Sequence, residues 1–366
     1  MRKALFFTLL SIALSVQPTL ASAKKRSKTA VSKPSSATVS RAATRSPVYA
    51  SRDDAMRFAD DLADRRGLER DWVRQTIGQA RLVPVIPRLM LPAPGGTAKN
   101  WGVYRSRFID PIRIRAGVAF WQANRETLAQ AQAEFGVPAR IIVGIIGVET
   151  IYGQQMGNFR VIDALATLAF DFPQAHPRAQ ARQEFFTREL EQFLSWCART
   201  GADPMAARGS YAGAMGMPQF MPSSIVKYAI DYDGDGRVDL TDSPADVIGS
   251  VANYFKAFNW QPGQPTHFPV RFDDAGLDKE ALLAPDILPT FSVAAFAAKG
   301  ALVDGDAERY SGPLALIELQ NGDAPPSYVA GTDNFYAITR YNWSSYYAMA
   351  VIELGDEVAA AMPANR

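Results

Sequence analysis

The chain has 366 residues, of which 48% are hydrophobic and 21% are charged, so it has enough apolar material for more than one buried core. Its net charge at pH 7 is only +2, and its single cysteine, Cys197, excludes an intramolecular disulfide. The sequence has no P-loop, and the two isolated histidines, His176 and His267, cannot make a zinc site.

The first 23 residues have the pattern of a secretory signal peptide. Arg2 and Lys3 form its positive start, residues 4–16 form an apolar stretch too short to span a membrane comfortably, and residues 21–23 form a small-residue cleavage site. No cysteine lies near that site, so we do not expect a lipoprotein. We expect cleavage after Ala23 and a periplasmic mature chain without a transmembrane anchor, held together by packing or by a metal.

Residues 24–47 are predicted to be a disordered basic linker. The segment from Lys24 to Ser46 has seven basic residues, no acidic ones and no aromatics, so it cannot bury enough apolar surface to order itself. Without residues 1–46 the chain keeps 30 basic and 37 acidic residues, a net charge of −7. A basic tail on an acidic body could contact an anionic lipid or wall polymer, but we favour a spacer, and we expect no nucleic-acid partner.

Helical patterns dominate residues 48–135, which we predict to form an N-terminal helical domain. One helix is expected over Ser51–Gly67, with the glycine as its end. A second amphipathic helix is predicted over Val118–Phe135, closed by Gly136, and a further one follows over Gln180–Arg199.

One carboxylate, Glu149, closes an otherwise apolar segment within residues 136–153. Pro138 suits the first turn of a helix, and every residue from Ile141 to Val148 is Ile, Val or Gly. Loss of water at the end of such a run raises the pKa of a carboxyl group, as a general acid working near neutral pH requires. The alternative is a helix-end glutamate that turns back to solvent.

An acidic loop at residues 231–242 matches an EF-hand calcium loop. Asp231, Asp233 and Asp235 fill positions one, three and five, Gly236 allows the sharp turn, and Arg237 offers its backbone carbonyl. Position twelve is Asp242 instead of glutamate, and Asp246 is the better candidate for the last ligand. We predict one structural Ca²⁺ and no organic cofactor; the alternative is an Asp-Gly turn without metal.

The pattern of residue types in the chain changes after Gly263. Short apolar runs lie between Pro, Gly and Asp clusters and predict a small β-rich domain over residues 265–340: Phe268–Phe272, Leu288–Val293, Leu314–Leu319 and Phe335–Thr339. Residues 344–362 return to a helical pattern, within a C-terminal segment (341–366) expected to pack back on the core.

Eight stretches in order give the chain a specific resemblance over residues 104–354. They are YRSRFI (104–109), GVAFW (117–121), GVPARIIVGIIGVETIYG (136–153), VIDALATLAFDFP (161–173), SYAGAMGMPQFMPSS (210–224), the acidic loop, GSVANYFKAFNW (249–260) and NFYAITRYN (334–342). In these the chain resembles the lytic murein transglycosylase B family. The resemblance implies an α+β, predominantly α-helical protein with a lysozyme-like catalytic core (136–264) that contains an EF-hand-like calcium loop.

The same resemblance implies the site residues. Glu149 matches the single catalytic glutamate, and Ser210 and Gln219 would line the glycan site beside it. The remaining cleft residues would be Tyr104, Tyr254, Tyr341, Asn342 and Tyr347. Tyrosine suits a sugar cleft because its face is apolar and its hydroxyl polar, although any one of these rings could instead be core.

The implied reaction cleaves the bond between N-acetylmuramic acid and N-acetylglucosamine and forms a 1,6-anhydromuramoyl end, with one glutamate as acid and then base. Ordinary glycosidases need two carboxylates, and Asp163 and Asp171 are easily explained by capping or packing. Two alternatives stay open, a water-using muramidase and a non-catalytic peptidoglycan-binding scaffold. We expect a monomer whose partner is the peptidoglycan glycan strand.

Overall fold

A computed structural model describes residues 48–92 and 99–363, so the predicted signal peptide and basic linker lie outside the described residues. Fifteen α-helices are assigned within these ranges. They are α1 (Asp53–Arg66), α2 (Arg70–Gln79), α3 (Val85–Leu89), α4 (Trp101–Arg105), α5 (Pro111–Ala123), α6 (Arg125–Phe135), α7 (Ala139–Thr150), α8 (Val161–Phe170), α9 (Ala179–Thr200), α10 (Pro222–Tyr228), α11 (Pro244–Ala257), α12 (Lys279–Leu283), α13 (Val293–Ala297), α14 (Asp333–Thr339) and α15 (Ser345–Ala360). Within the described part, no single helix is long and apolar enough to cross a membrane; only the sharply bent pair α6 and α7 passes on length and composition together.

The predicted helical segments are helical, but one begins later than predicted and another is divided in two. Gly67 and Gly136 adopt the left-handed conformation and end α1 and α6, as glycine does most readily. Helix α1 begins after Arg52 and not at Ser51. The single helix expected over residues 118–135 is wrong, because Asn124 donates its side-chain amide to the Phe120 carbonyl and separates α5 from α6.

Helix α7 lies at the centre of the larger core and packs against α15. All its residues from Ile141 to Val148 are buried. A methyl group at Gly144 would overlap the carbonyl oxygen of Val351, and one at Gly355 would overlap that of Arg140. Glycine on both helices therefore lets the two backbones touch, which explains the run of Ile, Val and Gly in the sequence.

The strands are short, and all seven pair antiparallel. They are β1 (Phe159–Arg160), β2 (Arg208–Gly209), β3 (His267–Pro269), β4 (Arg271–Phe272), β5 (Ala301–Leu302), β6 (Ala315–Asn321) and β7 (Ala324–Gly331). β3, β7 and β6 form a three-stranded sheet in that order, whereas β1 pairs with β2 and β4 with β5. A second, smaller core forms beside this sheet from residues that include Leu282, Phe296 and Leu316.

The strand predictions in this region are only partly right. Phe268–Phe272 and Leu314–Leu319 fall on strands, but 288–293 contributes only a bridge at Phe291. Phe335–Thr339 is helical because the Thr332 side chain accepts from the Asn334 amide and caps α14. The sequence did not indicate β7, because two prolines stand near its start and proline cannot donate a hydrogen bond to a neighbouring strand. The prolines are tolerated because this part of β7 pairs with β6 only.

Candidate active site

Glu149 lies in the last turn of α7 and lines a cavity. The helix ends one residue later because Ile151 and Tyr152 both have positive φ, at 52° and 55°. The Thr150 hydroxyl donates to the Met217 carbonyl at 2.8 Å and accepts from the Gly153 amide at 3.0 Å. The end of α7 is therefore fixed to the loop 210–221.

Six of the seven predicted cleft residues line this cavity with Glu149. The lining residues are Tyr104, Phe108, Val148, Glu149, Phe185, Ala214, Gln219, Phe220, Met221, Ser224, Tyr254, Tyr341, Asn342 and Tyr347. Ser210 is not among them: its hydroxyl accepts from the Ala214 amide at 3.1 Å inside a turn. Phe108, Phe185 and Ser224 line the cavity but were not predicted. Two of them lie within the resembling stretches, whereas Phe185 gave only the signal of an amphipathic helix.

Gln219 has a strained backbone conformation, and its side-chain amide is hydrogen-bonded within the protein. Its φ is +50°, and its amide nitrogen donates to the Met156 carbonyl at 3.1 Å and to the Gly216 carbonyl at 2.9 Å. Both amide protons are thus used within the protein. The side-chain carbonyl oxygen is the group of Gln219 that remains for a ligand.

Three of the cavity tyrosines use their hydroxyl groups inside the protein. Tyr254 donates to the Arg340 carbonyl at 2.6 Å, Tyr341 donates to the Pro218 carbonyl at 2.5 Å, and Tyr347 donates to Glu149 Oε1 at 2.5 Å. Burial and the Glu149 charge raise the pKa of all three hydroxyls, so they remain protonated donors. Their donor protons are used within the protein, so they can offer a sugar their rings and the acceptor side of the hydroxyl oxygen.

The Glu149 carboxyl group has the electrostatic environment of a general acid. Burial raises its pKa from the ordinary value of 4.5 to about 7, and the hydrogen bond from Tyr347 acts in the opposite direction. A carboxyl group with this pKa is protonated in about half of the molecules at neutral pH. It can therefore donate a proton there and also take one back.

Glu149 is the only carboxylate among the described residues that line the cavity. Asp163 accepts from the Arg81 amide and pairs with Arg160. Asp171 pairs with Arg52, which agrees with the structural roles inferred from the sequence.

Glu189 lies one helical turn along α9 from the cavity residue Phe185. It is buried, and its two oxygens accept from the Ser223 amide and hydroxyl at 2.9 and 2.7 Å. It is therefore fixed at the start of α10.

Asn342 presents a buried acceptor at the cavity wall. Its Oδ1 has no hydrogen-bond partner among the described residues, and the side chain is buried. An unsatisfied buried acceptor costs about 1–3 kcal/mol, which a ligand N–H can recover.

The acidic loop connects α10 to α11 and brings three carboxylates together. One oxygen from each of Asp231, Asp233 and Asp246 lies within 4.8 Å of the others. Asp246 is buried and accepts from the Tyr232 and Asp239 amides. Asp235 and Asp242 are outside this group; Asp235 pairs with Arg237.

The acidic loop is also joined to the cavity wall. The Met217 amide donates to the Leu240 carbonyl at 2.8 Å, and a methyl group at Gly216 would overlap that carbonyl. An ordered acidic loop therefore helps to fix the loop 210–221, which contains Gln219.

Comparisons with known proteins identify the family to which this fold belongs. A family model described as a transglycosylase SLT domain matches residues 50–356. The membrane-bound lytic murein transglycosylase B of Escherichia coli K12 is 39% identical over 322 residues, which are 86% of this chain and 84% of that protein. The soluble lytic transglycosylase SltB1 from Pseudomonas aeruginosa matches with a TM-score of 0.75 and 40% identity, over 84% of this chain and 99% of that one. The Escherichia coli lytic transglycosylase Slt35 in complex with calcium gives a TM-score of 0.74 and 40% identity, over 86% and 95%.

Proposed function

The chain belongs to the transglycosylase SLT domain family, and we propose that Glu149 is the single carboxyl group through which it acts. It is a lytic murein transglycosylase, an enzyme that cleaves glycosidic bonds in peptidoglycan. The predicted α+β, predominantly helical and lysozyme-like fold is confirmed. What remains to be argued is how this chain's residues carry out the reaction.

Protonated Glu149 donates its proton to the oxygen that links N-acetylmuramic acid to N-acetylglucosamine. As that bond breaks, the glutamate becomes a carboxylate and takes the proton of the muramoyl C6 hydroxyl, whose oxygen bonds to the anomeric carbon. The products are a 1,6-anhydromuramoyl end and a free N-acetylglucosamine end, and no water is consumed. An internal nucleophile gains from proximity, since intramolecular attack has a large effective molarity.

The observation that supports this mechanism is a lone carboxyl group of pKa about 7 in an aromatic cavity. Hydrolysis with water requires a second carboxylate, about 5–9.5 Å from the first. The described lining residues include no second Asp or Glu, and Asp163, Asp171 and Glu189 have other partners. A pure binding scaffold has no use for a carboxyl group whose pKa is held near neutrality.

We assign substrate recognition to two acceptor oxygens that the protein does not use and to the tyrosine rings of the cavity. The Gln219 carbonyl oxygen and Asn342 Oδ1 are acceptors suited to the N–H of an N-acetyl group. Tyr104, Tyr254, Tyr341 and Tyr347 offer ring surface to the pyranoses. Tyr347 has the further role of donating to Glu149, whereas Ser210 acts by holding its turn.

The acidic loop is proposed to hold one structural Ca²⁺. Asp231, Asp233 and Asp246 supply hard oxygen ligands at close range, which is the donor set that calcium prefers. The similar Slt35 structure was solved with calcium. Asp235 and the Arg237 carbonyl stay predicted ligands, and of the two candidates for the last ligand we favour Asp246 over Asp242.

Export to the periplasm, a monomeric state and glycan strands as the partner complete the proposal. Export is supported by the N-terminal pattern of residues 1–23. The separate smaller core around Leu282, Phe296 and Leu316 supports the β-rich domain as a unit of its own, whereas the predicted helical and catalytic domains share the larger core.

The test is the Glu149→Gln variant on purified peptidoglycan. We expect solubilisation to fall by at least a thousandfold while glycan binding persists, because the variant keeps the shape but has no proton to donate. Turnover retained within tenfold of wild type would contradict the assignment.

The folding control for this variant is the pH dependence of its free energy of unfolding. Between pH 4.5 and 7 the unfolded chain loses a proton that folded Glu149 keeps, so the free energy of unfolding falls by about 3 kcal/mol as pH rises. The free energy of unfolding of Glu149→Gln does not decrease in this way, because glutamine does not titrate. We expect it to be more stable than wild type at pH 8 in denaturant titrations, with the advantage disappearing near pH 4.

A further inference from the structure

Glu189, on α9, is a buried carboxylate whose hydrogen-bond partners are the amide and the hydroxyl of one serine, Ser223. It is 3% exposed, and among residues 48–92 and 99–363 it belongs to no ion pair. Burial raises the pKa of its carboxyl group, and the two bonds from Ser223 act in the opposite direction. A buried carboxylate is unfavourable for folding unless hydrogen bonds replace the lost water, so these two bonds hold the side chain in place.

The two hydrogen bonds cap helix α10 from a neighbouring helix. α10 begins with Pro222, which has no N–H, so Ser223 supplies the first amide of the helix. The residue before the helix, Met221, makes no side-chain capping bond. Glu189 Oε2 accepts from the Ser223 amide at 2.9 Å, and Oε1 accepts from its hydroxyl at 2.7 Å. A carboxylate from α9 thus replaces the usual N-cap side chain and fixes the start of α10.

The start of α10 forms part of the cavity wall. Phe220, Met221 and Ser224 line the cavity and flank the capped serine in the chain. Phe185, one helical turn before Glu189 on α9, lines the same cavity. The contact between α9 and α10 therefore joins two elements that both contribute side chains to the site.

The backbone conformation of Gln219 depends on what fixes the chain around it. Its φ of +50° is unfavourable for glutamine and persists only where surrounding contacts hold it. Met215 and Phe220 exchange two backbone hydrogen bonds, of 2.9 and 3.1 Å, and enclose Gln219 in a turn. Beyond that turn, the next contact that fixes the chain is the one between Ser223 and Glu189. A side chain from α9 therefore holds the chain on the C-terminal side of the strained residue.

We propose that Glu189 is a positioning residue, which caps α10 and so holds the Gln219 carbonyl oxygen where it accepts from the N-acetyl group of the substrate. This inference rests on the proposed function for its substrate, and it deepens that function by giving a carboxylate outside the described cavity lining a part in substrate binding.

The role requires two hydrogen bonds to Ser223 and no charge. Glutamine can make both, because its carbonyl accepts from the Ser223 amide and its amide donates to the Ser223 hydroxyl, which accepts as well as donates. Leucine has a similar size and can make neither. The Glu189→Gln variant is therefore the conservative replacement, and Glu189→Leu removes the cap.

The experiment measures kcat and KM on soluble glycan strands at a temperature where all variants are folded. Loss of one hydrogen bond to the substrate changes affinity about tenfold, so we expect Glu189→Leu to raise KM about tenfold and to keep kcat within about threefold. Glu189→Gln should keep both within about twofold. The matched control is Glu191→Leu, which removes another buried carboxylate of α9, paired with Arg65 and Arg66. It should lower stability and leave KM unchanged, because unfolding removes active molecules without altering those that remain.

A double-variant cycle tests the link to Gln219. Gln219→Ala removes the acceptor itself, so Glu189→Leu should raise KM by less than about twofold in that background. Ser223→Ala removes one of the two bonds from the other partner and should raise KM about threefold. This variant keeps the proposal testable if Glu189→Leu does not fold, and an unchanged KM in Ser223→Ala would contradict it.

Three results would overturn the proposal. Glu189→Gln as defective as Glu189→Leu would mean that the charge is required, a lower kcat at unchanged KM would mean a purely structural role, and equal effects with and without Gln219 would mean that the two residues are not linked. Binding of the same glycan strands to the Glu149→Gln protein, measured by calorimetry, repeats the comparison without turnover, and there Glu189→Leu should raise Kd about tenfold. If wild type cleaves no glycan, the proposed function fails, and the calorimetry still decides the role of Glu189.

Discussion

Among single residues, Glu149 determines whether the reaction can proceed, because the protein sets the proton affinity of its carboxyl group. Apolar and aromatic neighbours remove water from the carboxyl group, and among residues 48–92 and 99–363 its one side-chain hydrogen bond comes from Tyr347. The first effect raises the pKa and the second lowers it. Their balance near 7 leaves the group able to act as acid and then as base in one cycle.

This balance predicts the pH dependence of the enzyme. Because the free enzyme must hold a proton on Glu149, kcat/KM should be level below about pH 6 and fall tenfold per pH unit above about pH 7. Tyr347→Phe removes a bond that favours the carboxylate, so the falling limb should move to higher pH. The measurement is a pH profile of muropeptide release, with Tyr328→Phe as the control, because its hydroxyl donates to the Glu318 carboxylate outside the cavity. A limb that moves to lower pH in Tyr347→Phe would contradict this explanation.

The sequence made Glu149 visible because a lone carboxylate at the end of an apolar run is unusual. It could not show that Tyr347 donates to this carboxylate, since the two residues are 198 positions apart. Nor could it show that the Ser210 hydroxyl is used by its own turn, because that bond forms only when residues 210–214 fold back. The sequence indicated the chemistry of individual residues, but it did not indicate which residues become hydrogen-bond partners once the chain folds.

At the scale of elements, the contact between α7 and α15 fixes the position of the catalytic side chain. Gly144→Ala places a methyl group on the Val351 carbonyl in a fully buried contact, so the helices must separate. We expect a loss of about 2–3 kcal/mol in the free energy of unfolding, as for other overpacked cores. Gly276→Ala is the matched control, since nothing lies within 4 Å of the added carbon. Denaturant titration that finds the two variants equally stable would contradict this packing argument.

The acidic loop is the second element whose order affects the site. If Ca²⁺ binds Asp231, Asp233 and Asp246, it stabilises the folded protein by about 2.7 kcal/mol at a hundredfold excess over Kd. Asp233→Ala should remove the calcium-dependent rise in Tm, and Asp242→Ala, in the same loop but outside the cluster, should keep it. A wild-type Tm that does not respond to calcium, or a response lost equally in both variants, would count against the proposed site.

For the molecule as a whole, the sequence predicted the class of fold. The central helix and the C-terminal return to helix each carry a strong local pattern, and each is found, whereas calcium binding by the acidic loop stays a proposal. The errors fall where a tertiary contact or a cap decides the outcome. Asn124 divides a continuous amphipathic pattern, Thr332 makes a helix of a β-like run, and prolines conceal β7.

The central chemical proposal is that a single glutamate, Glu149, produces anhydro ends without water. The most direct measurement is mass spectrometry of muropeptides released from purified peptidoglycan by the wild-type protein and by Glu149→Gln. We predict products lighter by one water than those of a hydrolase, formed by wild type and absent with the variant. Reducing-end products of full hydrolytic mass would contradict the claim and require a second carboxylate that the described cavity does not contain.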